Sequence, residues 1–255
     1  MSEETTNKDP RWGEADRDKK AEAILRTVEL SADVDAHVRQ RVWLDVGCGS
    51  GGISATLAQY VDHVIGVDPE SWDRWGQYQN DHSNLILRKA SYGDLPTTIA
   101  SESVDIVVCN QVYEHVDDPF ELLRAINFAL KPGGLCYFAG PNLLWPIEPH
   151  VAWPFVHWLP RRFAQQIMSL LGSRRPQDLD AWSWSYWKLA KAFRRSGFDF
   201  DNAVGKRLQA EMQRHTASFL GRLMITVASS SIASFAPILP GFIFILRKAK
   251  IADRS

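Results

Sequence analysis

The sequence predicts an α/β fold built on a mostly parallel β-sheet, on three observations. Short apolar or β-branched runs alternate with helical segments from Val42 onward. A glycine-rich stretch, Gly47-Cys-Gly-Ser-Gly-Gly52, directly follows the first of those runs. The composition, 45% hydrophobic and 23% charged over 255 residues, is that of an ordinary globular chain. Strands alternating with helices imply crossover connections that leave both faces of the sheet covered.

The first twenty residues are densely charged and hold no apolar core, which excludes a secretory signal peptide. Residues 1–18 read as a disordered lead-in and residues 19–255 as one domain. A helical segment from about Lys19 to Val38 precedes the first strong strand, Val42–Val46. Further strands are expected at Val64–Val67, Leu85–Leu87, Val104–Val108 and Gly134–Ala139, with helices around Ser54–Tyr60, Ser71–Gln79 and Phe120–Leu130. The last helix closes at Lys131-Pro-Gly-Gly134, where proline and glycine end a helix and turn the chain into a strand.

After Pro141 the composition changes. Six of the ten tryptophans fall between Trp145 and Trp187, among Pro146, Pro149, Pro154 and Pro160. This apolar, turn-rich stretch, about 142–185, reads as a cap inserted after the fifth strand. A helix at Tyr186–Arg195 and a strand from Phe198 to Val204 follow, then a helical insertion over about 206–238. The final strand is Phe242–Leu246, stopped by Arg247 and Lys248. The 24 uncharged residues from Leu223 to Leu246 are long enough to span a bilayer. Ser229-Ser-Ser231, Pro237, Pro240 and Gly241 interrupt them, so they read as helix, turn and buried strand.

Three cysteines, Cys48, Cys109 and Cys136, are too few and too scattered for a disulfide framework or a cysteine-based zinc site. A reducing, cytoplasmic setting is expected. No histidine or carboxylate pair at helical spacing faces an evident third ligand, so no metal centre is expected. The net charge of −1 hides a split: residues 1–140 carry 13 basic against 23 acidic side chains, and residues 141–255 carry 16 against 7. Either the second part meets something anionic, such as a phosphorylated substrate or a membrane surface, or it covers an acidic sheet domain. No nucleic-acid partner is expected.

The residues Leu44-Asp-Val-Gly-Cys-Gly-Ser-Gly-Gly52 lie between the first strand and the next helix, where glycines let the backbone turn sharply and let a ligand approach closely. Gly47, Gly49 and Gly52 satisfy the G-x-G-x-x-G spacing of a dinucleotide site. Asp68, ending the second strand, can accept both ribose hydroxyls of an adenosine-containing ligand. Asp45 separates the readings. A fixed carboxylate beside a pyrophosphate is repulsive, and the same carboxylate suits a ligand with an ammonium, a sulfonium and no phosphate, which is S-adenosylmethionine.

Leu44–Gly52 followed by Val64–Asp68 resembles the first two motifs of class I S-adenosylmethionine-dependent methyltransferases. Asp105-Ile-Val-Val-Cys-Asn-Gln-Val-Tyr-Glu-His-Val-Asp-Asp-Pro119 is similar to that family's fourth strand and following loop, and Leu130–Gly134 to its turn into the fifth strand. The order and spacing of the four blocks match across Val42–Ala139. The Glu114-His115 pair resembles the branch that includes ubiquinone-biosynthesis O-methyltransferases and many small-molecule methyltransferases.

The resemblance implies a Rossmann-like sheet of seven strands, the last antiparallel and inserted as a hairpin. It implies S-adenosyl-L-methionine as cofactor, with Gly47, Gly49 and Gly51 lining the methionine moiety and Asp45 near its ammonium. Asp68 then holds the ribose, and Asn110 and Gln111 lie near the reacting methyl; Cys48 and Pro69 complete the two loops. The family usually has an acidic residue about four positions before the Leu-Pro after the third strand, where it meets the adenine amino group. Here Ser91 stands at that offset from Leu95-Pro96, so adenine contacts fall to Ser91, Tyr92 and Asp94.

Methyl transfer is an in-line displacement, and the protein's main tasks are alignment and exclusion of water. An oxygen acceptor of high pKa also needs a base, and two histidines are candidates. His115 lies at the carboxyl end of the fourth strand, the ligand-binding edge of an open α/β sheet. Its other reading is a helix-entry residue. His150, in Pro146-Ile-Glu-Pro-His150, is fixed beside Glu148, either as a carboxylate-oriented imidazole or as a bond pinning the cap. His157, among Trp153, Phe155 and Trp158, reads as core. Trp182, Trp184 and Trp187 read as the underside of the cap, or as an apolar slot for a ring or acyl chain. The pairs Arg161-Arg162, Arg174-Arg175 and Arg194-Arg195 read as solvated faces or as contacts to lipid headgroups.

The favoured function is methyl transfer to an oxygen of a small or lipid-linked acceptor, with residues 142–187 and 215–235 forming a cap that selects it at a membrane surface. The alternatives are an NAD-dependent oxidoreductase, and a non-catalytic adaptor retaining the fold.

Overall fold

The computed structural model describes residues 15–32, 37–148, 151–173, 176–179, 182–213, 232 and 235–250. The chain runs α1 (Ala15–Glu29), β1 (Val42–Val46), α2 (Gly52–Ala58), β2 (His63–Asp68), α3 (Trp75–Asp81), β3 (Leu85–Lys89), α4 (Leu95–Thr98), β4 (Val104–Asn110), α5 (Pro119–Ala129) and β5 (Leu130–Pro141). There follow the two-residue strands β6 (Ile147–Glu148) and β7 (Trp153–Pro154), then α6 (Arg161–Leu170), α7 (Tyr186–Arg195), β8 (Phe198–Asn202), α8 (Val204–Gln213) and β9 (Gly241–Lys248). The seven-stranded sheet has the order β3-β2-β1-β4-β5-β9-β8. Strands β1 to β5 pair in parallel, and β9 runs antiparallel to both β5 and β8, as the hairpin expectation required.

The period of two along the strands divides the core. Leu44, Val107, Cys109, Phe138 and Phe244 face α5 and α7. Trp43, Ile106, Val108, Tyr137 and Ile245 face the layer that includes α1 and α2. Each central strand therefore buries both faces, which is why these segments read as continuous apolar runs. Burying one such side chain contributes about 1.5–3 kcal/mol. All three cysteines are buried and unpaired.

Several boundaries differ from expectation. α1 begins at Ala15 rather than Lys19 and stops at Glu29, so the lead-in expected to reach residue 18 ends within a helix; residues 1–14 lie outside the described residues. Order reaches that far because Asp18 accepts a hydrogen bond from the Thr56 hydroxyl and Arg17 donates one to the Ser50 hydroxyl. The Lys131–Gly134 turn is absorbed as an irregular start of β5: Gly133 has φ +77°, and the β4–β5 register slips between Val104↔Leu130 and Ile106↔Leu135. Helix α5 begins where its sequence specifies. Pro119 occupies the first turn and the Asp118 carboxylate accepts the Phe120 amide at 2.8 Å.

In the first insertion a small core of Val156, Ala164, Met168 and Leu179 forms around α6. His157 is buried as expected, with Nε2 3.1 Å from the Leu143 carbonyl. The tryptophans divide. Trp184 packs beside Phe120, with the Lys188 ammonium 3.8 Å from its ring centre, whereas Trp182 and Trp187 are exposed. Only Trp184 therefore serves as an underside, because the chain here leaves the sheet edge and enters α7. Of the second insertion, α8, residue 232 and residues 235–240 are described; His150, Arg174-Arg175 and most of 214–234 lie outside the described residues. Among the described residues, no helix is long and apolar enough to cross a membrane.

Candidate functional site

The strand order reverses between β1 and β4, and open α/β sheets bind ligands at the carboxyl ends of the strands at such a point. The glycine loop lies there. Gly47, Gly49 and Gly51 have φ of +71°, +54° and +84°, a region side chains rarely enter. A Cβ on Gly47 would collide with Val112, and one on Gly51 would press on Leu87 at 2.8 Å. A Cβ on Gly49 would meet nothing within 4 Å, so the loop presents bare backbone to open space there. The Cys48 side chain turns inward, buried against Gly66, so only its backbone faces the loop's ligand side.

The loop's amides are already engaged within the protein. Gly47 and Cys48 donate to the Val67 carbonyl at 2.8 and 3.0 Å, Gly49 to the Asp68 carboxylate at 2.9 Å, and Gly51 to the Cys48 carbonyl at 3.0 Å. A pyrophosphate site needs a cluster of outward amides, and these four point elsewhere. Asp68 also accepts the Glu70 amide at 3.0 Å on its other oxygen, and each oxygen keeps a second lone pair for a hydroxyl.

Asp45 sits beneath the loop, 4% exposed, and accepts the Ser54 hydroxyl at 2.6 Å. Burial pushes its carboxyl up to about 7, with Asp68 adding to the rise and Ser54 and Arg17 opposing it. It lines neither of the two cavities described next, so any ammonium would reach its charge through the loop. Sequence reasoning missed Arg17. Its stem lies against Gly52, its guanidinium reaches Ser50, and burial lowers its pKa while Asp45 opposes that. Like Asp45, Arg17 lines neither of those two cavities; it borders a third, with Gly52 and Tyr78. Its position on the first turn of α1 is the one signal that could have located it.

A cavity of about 330 Å³ lies beside the loop, lined by Gly47, Asp68, Pro69, Ser91, Tyr92 and Gln111, with His115 and Asp117 on its far side. This brings together most of the expected nucleoside contacts. Asp94 is placed differently: it accepts both the Ser91 amide and hydroxyl, at 2.8 and 2.9 Å, and caps that turn outside the cavity. Those bonds hold its carboxyl below the usual range. Asp117 stands on the cavity wall instead. A larger cavity of about 500 Å³ opens between the sheet edge, α1 and α8, lined by Asn110, Gln111, Ala139, Phe242, Lys20 and Arg207 among others. Gln111 borders both cavities, held at φ +60° with its amide donating to the Ala139 carbonyl at 2.8 Å. His115 lines the nucleoside cavity and not the larger one.

Comparison with known proteins agrees with this geometry. Residues 14–201 match the model of a methyltransferase domain family, and the chain belongs to that family. A ubiquinone biosynthesis O-methyltransferase of Acinetobacter baumannii (strain AYE) is 32% identical over 103 residues, 39% of this chain and 43% of the relative. One of Hahella chejuensis is 31% identical over 137 residues, 52% of this chain and 57% of the relative. The chain thus spans about half the length of the curated relatives it matches. In fold it is similar to the 1,6-didemethyltoxoflavin-N1-methyltransferase of Burkholderia thailandensis, solved with S-adenosylhomocysteine, at TM-score 0.54 and 15% identity over 92% of this chain and 79% of that one. The family match and the shared sheet thus place the chain among the class I methyltransferases.

The raised Asp45 pKa gives a pH test. A carboxyl whose folded value exceeds its unfolded one contributes stability that is full below about pH 4 and is lost as pH rises through 7. A cation bound over the loop pulls that value down, so cofactor binding just below pH 7 should release protons. Calorimetric titration of S-adenosylmethionine in buffers of different ionisation enthalpy should show this release, and Asp45→Asn should abolish it. A binding heat independent of buffer in the unmodified protein would contradict it.

Proposed function

We propose that this protein transfers the methyl group of S-adenosylmethionine to an oxygen of a small or lipid-linked acceptor held in the larger cavity. The observation that carries the proposal is Gln111, which borders both the cavity beside Asp68 and the mostly apolar cavity beyond. In this reading Asp68 fixes the ribose, Arg17 the methionine carboxylate, and the loop carbonyls the ammonium. Ser91, Tyr92 and Asp117 border the adenine. S-adenosylmethionine, when bound, supplies an electrophilic methyl carbon. Asn110 and Gln111 then hold donor and acceptor in line, and the walls exclude water, so alignment carries most of the rate. Among the described residues no histidine lines the larger cavity, so His115 is assigned to the nucleoside side rather than to proton removal. The oxygen acceptor is supported by likeness to the ubiquinone-biosynthesis O-methyltransferases.

The lipid-linked form of the acceptor is supported by α6. Phe163, Leu170 and Leu171 form an apolar edge turned to solvent, Leu170 at 86% exposure, with Arg161 and Arg162 at the start of the same helix. Such a helix suits the interface of an anionic membrane, where each basic side chain adds about 1 kcal/mol. A cytoplasmic protein meeting the membrane through this edge is the reading that follows.

Incubation with labelled methyl donor, membrane extracts and soluble metabolites should yield a product whose label is a methoxy carbon by NMR. Label on nitrogen or carbon would overturn the oxygen acceptor, and no transfer by a protein that binds S-adenosylhomocysteine would overturn the activity. Co-sedimentation with phosphatidylglycerol vesicles at low salt should pellet the protein, and Leu170→Glu should release it. A protein that stays in the supernatant would remove the membrane contact and leave the cavity reading standing.

A further inference from the structure

The larger cavity has a charge that methyl transfer itself does not require. Its walls are mostly apolar, built from Ala139, Val204, Leu208, Leu239, Phe242 and Ile243. Two cationic side chains, Lys20 from α1 and Arg207 from α8, enter this apolar space with one acid, Glu211. Arg207 is committed within the protein: its Nε and Nη2 donate to one Glu211 oxygen at 2.9 and 2.7 Å, and its Nη1 donates to the Tyr137 hydroxyl at 3.3 Å. Glu211 is thereby neutralised by its own helix neighbour, four residues away. Lys20 is left. Among the described residues it makes no hydrogen bond or ion pair; Asp16, one turn back on α1, acts on it only at longer range. Burial and the nearby charges of Arg207 and Arg17 lower its pKa, so among the described residues the half-buried lysine stands without a counter-charge in contact.

We infer that Lys20 is the counter-charge for an anionic group on the methyl acceptor, which is an acid on an apolar frame rather than a neutral alcohol. The inference rests on the methyltransferase reading and deepens it. Lys20 lines the cavity with Asn110 and Gln111, whereas Arg17, three residues earlier on α1, reaches Ser50 of the glycine loop. The two cations thus serve different ends of the site, one the donor's carboxylate and the other the acceptor's anion. A volume of about 500 Å³ admits an aromatic ring or a medium acyl chain beside the charged group. A carboxylate there gains a charge-assisted bond to the half-buried Lys20 ammonium, and a neutral group of the same shape gains only a weaker one.

The test uses matched acid and amide pairs that keep shape and change charge: 4-hydroxybenzoate and 4-hydroxybenzamide, 4-hydroxycinnamate and its amide, 12-hydroxydodecanoate and its amide. Affinities are measured by calorimetry with the full chain saturated in S-adenosylhomocysteine. At least one acid should bind ten-fold or more tightly than its amide. Lys20→Met, which keeps the length of the apolar stem, should erase that preference while the affinity for S-adenosylhomocysteine stays within two-fold. No preference for an acid in any pair, or a preference that survives Lys20→Met, overturns the inference. A ten-fold loss of S-adenosylhomocysteine affinity in Lys20→Met also overturns it, by moving Lys20 to the donor. Failure of the unmodified protein to bind S-adenosylhomocysteine is a separate result and removes the methyltransferase reading itself.

Discussion

The site depends on one hydrogen bond, from the Gly49 amide to the Asp68 carboxylate at 2.9 Å. It ties the loop after β1 to the end of β2, and the Val67 carbonyl holds Gly47 and Cys48 beside it. A loop with three glycines at positive φ has little stiffness of its own, so its shape must be imposed from outside. Asp68 imposes it while keeping lone pairs for a ligand. The same residue thus builds the loop and faces the nucleoside cavity. The cost of that arrangement is that the loop amides are occupied, which suits a cofactor without phosphates.

The second constraint is topological. Because β4 lies next to β1, its carboxyl end delivers Asn110 and Gln111 beside the glycine loop, and because β9 lies next to β5, Phe242 and Ile243 complete the neighbouring wall. The parallel half of the sheet lines the cavity beside Asp68, and the antiparallel hairpin with α8 lines much of the larger one. The charge split along the chain has a counterpart here. Arg207 belongs to the basic second part, and with Lys20 of α1 it enters a cavity at the edge of the acidic first part.

The sheet was legible because buried parallel strands leave uninterrupted apolar runs, and the loop because only glycine tolerates its φ values. The place of Asp68 at the end of β2 was legible from its spacing. Arg17 was not: the start of α1 is charge-rich and lacks an apolar stripe, and its order comes from bonds to Ser50 and Thr56 that no local pattern announces. Asp94 misled because a carboxylate near the right offset can be consumed locally, here by the Ser91 amide and hydroxyl. Trp182 and Trp187 misled for a related reason, since a cluster in sequence does not fix which face each ring takes. Composition indicated that an apolar cap follows β5, and the direction of its side chains depended on packing against Phe120 and Tyr113.

The central claim is that Asp68 both shapes the loop and binds the ribose of a phosphate-free cofactor. Titration of S-adenosylhomocysteine and of NADH into the unmodified protein and into Asp68→Ala tests it most directly. Saturable binding of S-adenosylhomocysteine, no detectable NADH binding, and a loss of about 1–3 kcal/mol on removing the carboxylate are expected. NADH binding as tight as that of S-adenosylhomocysteine, or an affinity unchanged in Asp68→Ala, would contradict it.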